Sequence, residues 1–258
     1  TTYALLLDIM KAFDSVDHEF IFAALKKIGM PPWVLNAVKA LLTGVKVTPV
    51  CGGKEGGWID IERGMKQGCP LSPILFIIVY EFYVRKLNSH MTSKGAATCA
   101  FADDVLLATH HLKDLFGVHE EVALFEKIGG CKTHPGKSIF VTNNDDDQEL
   151  RNWITPHPYW RADSIRDSGT YLGVLFGRRV TLDDIYHNAM KKFKKKLNEI
   201  RPVLKEVSMN KKIFLINVFC LPIFSYLHQF YMMDKPIYTK VQSLIQEAIV
   251  PLRGRGYK

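Results

Sequence analysis

The feature that most restricts what this chain can fold into is the placement of three acids. Tyr3 to Ile9 (YALLLDI) is an apolar run that carries Asp8 near its end, the pattern of a strand buried on both faces. Thr98 to Phe101 and Val105 to Thr109 are two further apolar runs joined by Ala102-Asp103-Asp104, so the twin acids stand at the tip of a tight hairpin. Carboxylates brought together repel, and burial raises their pKa unless a cation neutralises them. A divalent metal is the natural remedy, and hard oxygen donors suit Mg²⁺ or Mn²⁺, which keep positions open for water and substrate phosphates. Two such ions about 3.5–4 Å apart can activate an attacking hydroxyl and stabilise the leaving oxygen of an in-line phosphoryl displacement. The alternative is that Asp8 and the pair are separate turn or cap acids that never meet.

Around these runs, strand and helix patterns alternate. Asp14, Ser15 and Asp17 are candidate caps of a helix that reaches about Ile28 and is closed by Gly29. Pro31-Pro32 starts another, with Trp33, Ala37, Ala40 and Leu41 on one face. Val45 to Val50 and Trp58 to Glu62 flank CGGKEGG as a hairpin with a long glycine-rich turn. Ser72-Pro73 reads as the N-cap and first residue of a nearly all-apolar, hence central, helix running to about Asn88. An amphipathic helix follows over roughly Lys113 to Ile128, ended by Gly129-Gly130, and then a strand near Ser138 to Thr142. Asn143 to Asp167, with its run Asp145-Asp146-Asp147, reads as an insertion loop with little regular structure. Tyr171 to Phe176 (YLGVLF) is strand-like; from Leu182 the period turns helical, with Ile185, Ala189, Phe193 and Leu197 four apart. The fold class is therefore α+β, with a mixed body over residues 1–180 and a helical appendage over 181–258.

The chain carries a formal net charge of +8. From Tyr186 to Lys212 there are nine Lys/Arg against two Glu, so the excess is concentrated there; such a run is either a solvated helix face or a surface for a polyanion. The five cysteines are odd in number and widely spaced, without zinc-ligand spacing, which reads as reduced, small apolar side chains in or near the core of an intracellular protein. Neither of the two most apolar stretches has the ~18 uninterrupted apolar residues of a spanning helix, so no membrane partner is expected. The chain starts at Thr1, almost directly on a strand, and a segment of a longer polypeptide with further domains is expected.

Three motifs carry a resemblance. Asp8-Ile9-Met10-Lys11-Ala12-Phe13-Asp14-Ser15-Val16-Asp17-His18 resembles the first palm motif of reverse transcriptases of the non-LTR (LINE-like) retrotransposon and group II intron type. Arg63-Gly64-Met65-Lys66-Gln67-Gly68-Cys69-Pro70-Leu71-Ser72-Pro73 resembles their second motif, and Phe101-Ala102-Asp103-Asp104 their metal-binding hairpin. Lys137-Ser138 is similar to the end of the next motif, Tyr171-Leu172-Gly173 to the primer-grip turn, and Val207 to Tyr226 to a thumb-side helix. Order and intervals agree, and an eleven-residue motif between two acidic ones is specific where FADD alone is not.

The resemblance implies a polymerase palm, an antiparallel sheet backed by helices, with part of a fingers hairpin at about residues 45–62, most of the fingers missing, and a C-terminal helical thumb. It implies two metal ions held by Asp8, Asp103, Asp104 and the carbonyl of Ile9. Phe13 would sit against the sugar of the incoming nucleotide and clash with a 2′-hydroxyl. Gln67 and Gly68 would line the nucleotide pocket, Arg63 would meet phosphate or template, and Lys137 would protonate the leaving pyrophosphate. The family commonly has Asn within the stretch held here by Thr133-His134-Pro135, and His134 reads as a loop residue. Lys191 and Lys195 would neutralise duplex phosphates. The implied partners are an RNA template, a DNA primer and deoxynucleoside triphosphates, with action expected in the nucleus. Two other readings remain at this stage: a non-catalytic nucleic-acid-binding remnant, and a maturase-like protein of the group II intron type that binds structured RNA.

Overall fold

The structure, a computed structural model, describes residues 1–134, 136–156, 160 and 162–250. It divides into two compact units, Thr1–Leu172 and Gly173–Lys258. The sequence pattern puts the change near residue 180, where strand periodicity ends; compactness puts it at Leu172/Gly173, inside the YLGVLF run. That run is not one strand. Ser168–Tyr171 and Val174–Gly177 are separate strands, and Leu172 and Gly173 between them take left-handed φ values of 48° and 80°, as in a type I′ turn.

The first unit is built on a five-stranded sheet in which Tyr3–Leu7 lies between Ile139–Thr142 and Asp104–Thr109. Ala97–Phe101 adds to one edge and Ile165–Arg166 to the other; every pairing is antiparallel except that of Ile139–Thr142 with Ile165–Arg166. All five residues of Tyr3–Leu7 are buried, which is why that run is continuously apolar rather than alternating. Tyr3, Leu5 and Leu7 share a core with Val105, Leu107 and Phe140, each large apolar side chain contributing about 1.5–3 kcal/mol by burial. The helix Leu71–His90 packs against His18–Lys27 and Val118–Gly129 and against strand Ala97–Phe101, as its apolar sequence requires.

Several local expectations need correction. Asp17 is the cap of His18–Lys27, accepting from Glu19 N at 2.9 Å, after a short separate helix Ala12–Ser15. Helix Pro32–Leu42 buries Val38 and Leu42; Trp33 is 74% and Leu41 53% exposed, so the packed face lies about a third of a turn from the one the sequence suggested. Ser72 does not cap its helix, because the helix already begins at Leu71; its hydroxyl donates back to Lys66 O at 2.8 Å and closes the preceding loop. In the hairpin, Lys54–Glu55 pairs with Val50–Cys51, and the turn shrinks to Gly52-Gly53. The stretch 143–167 holds a helix, Gln148–Ile154, capped by Asp147, and the strand Ile165–Arg166; part of it lies outside the described residues. Cys131 and Cys220 are buried as expected, but Cys51 and Cys99 are exposed. Among the described residues no helix is long and apolar enough to cross a membrane.

The second unit is helical apart from its first strand. Leu182–Glu206 opens with a capping box, Thr181 and Asp184 bonding reciprocally, two backbone donors being satisfied at once. Its stripe Ile185, Ala189, Phe193 and Leu197 is buried against Ile216, Phe224 and Val241.

Candidate active site

The register decides whether the three acids meet. Leu7 stands opposite Val105 and Phe101 opposite Asp104, so the next step along the first pair sets Asp8 across from Asp104. The loop of the acidic hairpin is only Ala102-Asp103. Ala102 has φ 53° while Asp103 does not share a positive φ, the signature of a type II′ turn; alanine in that conformation is strained by about 1–2 kcal/mol. The Asp104 carboxyl is held above the usual carboxylate range by burial, then by Asp103, then by Asp8. Three like charges therefore feel one another at the ends of these strands.

Asp8 is pinned from the other side. Its amide donates to the fully buried Ser138 Oγ at 3.2 Å, and its carbonyl accepts from His134 N at 2.8 Å. Since Ile9 pairs with Thr133 in the same antiparallel ladder, the alternation of such ladders turns the Ile9 carbonyl away from that partner. Lys137 Nζ lies 3.8 Å from Asp8 Oδ2. His134 serves as a loop residue, its Nδ1 accepting from Gly136 N.

The first and second motifs are laced together by backbone. Gly64 N donates to Val16 O and Met65 N to Phe13 O, both at 2.7 Å; buried His18 donates Nε2 to Gly64 O at 2.7 Å, and Asp17 bridges Arg63. Gln67 Nε2 donates to Asp14 Oδ1 at 3.1 Å. In consequence Phe13, Lys66, Gln67, Gly68 and Ser72 line one open pocket, and Arg63 lines a second that shares Lys66 and Gln67. Phe13 both packs on the core and lines the pocket: one ring face stacks on Phe76 at 4.7 Å, and the residue remains partly accessible. A separate apolar groove lined by Phe20, Leu124, Phe125 and Ile128 contains none of these residues.

With this geometry in place, likeness to known proteins can be weighed. The sequence matches the family described as "Reverse transcriptase (RNA-dependent DNA polymerase)" over residues 1–176. The chain belongs to the reverse transcriptase family. This reverse transcriptase domain is 38% identical over 142 residues to a Pol polyprotein of the retrotransposable element R2 from Popillia japonica, covering 53% of the chain and 23% of that polyprotein. It is 35% identical over 150 residues to the R2DM polyprotein of Drosophila melanogaster, covering 54% of the chain and 14% of its relative. These relatives place the domain in the non-LTR retrotransposon group, and the chain spans less than a quarter of their length. Among solved structures, Candida albicans telomerase, determined with a fragment of telomeric RNA, superposes with a TM-score of 0.52 at 13% identity over 96% of this chain and 44% of its own. Apo telomerase from Candida tropicalis gives 0.53 at 13% identity over 68% and 34%. The shared fold is that of a polymerase palm and thumb.

Reverse transcriptases use divalent metal ions. Among the described residues no three His, Cys, Asp or Glu side chains form a ready-made ion cage. The donor set still suits the ions: Asp8, Asp103, Asp104 and the Ile9 carbonyl supply hard oxygens, and the Asp104 carboxyl is raised by burial first and then by Asp103 and Asp8, a penalty that a nearby cation would relieve. Tyr171 and Leu172 end the first unit and Gly173 begins the second. Lys191 and Lys195 are exposed on Leu182–Glu206, off its buried stripe.

Sequence reasoning placed His18 and Ser138 within motifs without giving either a role, and passed over Tyr80. Tyr80 donates its hydroxyl to Asp103 O at 3.1 Å. The only sequence signal for it was an aromatic four residues after Phe76 in an otherwise apolar helix.

Proposed function

We propose that this domain performs RNA-directed DNA synthesis, joining a deoxynucleoside triphosphate to a primer 3′-hydroxyl with release of pyrophosphate. The single observation behind this reading is the convergence of two motifs about fifty positions apart on one pocket, together with strand ends that bring Asp8 up to Asp104. Bound ions would supply activation of the attacking hydroxyl and stabilisation of the leaving oxygen. Asp8, Asp103, Asp104 and the Ile9 carbonyl would hold them. Phe13, backed by Phe76, presents a ring edge too bulky for a 2′-hydroxyl. The Gln67 amide, oriented by its bond to Asp14, leaves its carbonyl oxygen available to sugar or base, and Gly68 lets the template strand approach. Arg63 meets phosphate or template. Lys137 delivers a proton to the departing pyrophosphate, its ammonium held near the metal site by Asp8. Tyr171, Leu172 and Gly173 seat the primer end, and Lys191 and Lys195 grip duplex phosphates. An RNA template, a DNA primer and action in the nucleus belong to the same reading, with the retrotransposon kinship in their support. Primer extension on an RNA template by the full-length protein tests the reading. Asp103→Ala is expected to abolish product, and equal extension by the variant and its parent refutes it.

A further inference from the structure

The hairpin that carries Asp103 has a weak point and a brace. Its two-residue loop needs a left-handed φ from Ala102, a residue that adopts it reluctantly. The Asp103 carbonyl lies in the turn, outside the ladder that pairs Phe101 with Asp104, so it has no strand partner. The hydroxyl of Tyr80, a residue only 3% exposed, donates to that carbonyl. The Tyr80 ring is fixed by packing: it stacks on Phe76 at 5.0 Å and 20°, and Phe76 stacks in turn on Phe13. One helix, Leu71–His90, thus supports both the sugar-facing ring and the acidic turn.

We infer that Tyr80 is a positioning residue for metal binding: its hydroxyl holds the strained Ala102-Asp103 turn at the height that aims the Asp103 carboxylate at the ions. The inference rests on the polymerase reading for its catalytic consequence, but its effect on cation affinity does not. Tyr80→Phe removes only the hydroxyl and keeps the aromatic stack. Tyr83→Phe is the matched control, since it makes the same change one turn away on the same helix, at a buried hydroxyl with no hydrogen-bond partner.

The test is Mn²⁺ binding to the full-length protein, followed by the loss of the free-ion electron paramagnetic resonance signal, together with primer extension titrated with Mg²⁺. Tyr80→Phe is expected to weaken Mn²⁺ binding and lower kcat by about three- to tenfold, as loss of one neutral hydrogen bond allows. The Mg²⁺ concentration for half-maximal rate rises, while KM for the deoxynucleotide and discrimination against ribonucleotides stay at the parent's values because Phe13 keeps its support. Tyr83→Phe is expected to match the parent in all of these. Parent-like Mn²⁺ affinity in Tyr80→Phe, or equal loss in Tyr83→Phe, overturns the assignment. If the parent extends no primer, the polymerase reading fails, and the Mn²⁺ comparison still decides the role of Tyr80.

Discussion

Replacing Gly64 with alanine asks whether backbone lacing holds the nucleotide pocket together. Gly64 has φ +80°, and a Cβ there would come within 2.5 Å of the Asp14 carbonyl oxygen and 2.6 Å of its carbonyl carbon. The left-handed backbone costs alanine about 1–2 kcal/mol. The clash is with main chain, which has no rotamer to escape into, so the 63–65 segment must retreat from 13–18. The bonds Gly64 N to Val16 O, Met65 N to Phe13 O and His18 Nε2 to Gly64 O then stretch together. Losing two of the three at about 1 kcal/mol each brings the total to about 3–4 kcal/mol, a fall in melting temperature of about 10 °C for a unit of this size. Gly29→Ala is the reference: its φ is +78° but nothing lies within 4 Å of the added carbon, so it incurs only the backbone cost. Urea unfolding of both variants and KM for the deoxynucleotide are the measurements. Gly64→Ala is expected to lose about 2 kcal/mol more than Gly29→Ala and to raise KM several-fold. Equal losses, or an unchanged KM, refute the claim that this lacing positions the pocket.

Phe13→Ala is expected to raise ribonucleotide incorporation with little effect on the rate with deoxynucleotides, measured by single-nucleotide extension; unchanged discrimination removes Phe13 from the sugar site. The raised Asp104 carboxyl means the folded state binds that proton more tightly than the unfolded chain. The stabilisation this brings is complete below pH about 3.9 and is lost as pH rises through the folded value. Asp104→Asn is therefore expected to melt higher than the parent at pH 7 without metal, the gap closing on acidification; a gap that widens in acid contradicts the charge-crowding account. Changing Lys191 and Lys195 together to Gln is expected to reduce the slope of log affinity against log salt by about 2 for duplex binding, and an unaltered slope places both outside the interface.

Much of the site could be read directly from the chain, because its motifs are local. Asp103 and Asp104 stand between two apolar runs only a turn apart, so any hairpin there puts acids at its tip. Asp8 ends a run whose unbroken apolarity demands burial on both faces, and the stripe of Ile185, Ala189, Phe193 and Leu197 states its own helical period. Local signals failed where a choice depended on a distant partner. Ser72 has the form of an N-cap, yet the helix starts one residue before it and its hydroxyl donates back to Lys66 O in the preceding loop. Trp33 and Leu41 are as apolar as Val38 and Leu42, and only the position of the neighbouring helix decides which face is covered. Asp14, Ser15 and Asp17 are equivalent caps until a short helix, Ala12–Ser15, ends before the last of them.

Residue types and spacings alone thus determined the acids, the central helix and the basic helix, since periodicity and turn chemistry are properties of neighbouring residues. Tertiary structure alone decided that Asp8 faces Asp104, that Phe13 and Gln67 share a pocket and that Tyr80 reaches the Asp103 carbonyl. Each of these depends on strand register or helix packing between residues far apart in the chain, and register is set by how the whole core fills rather than by any one segment.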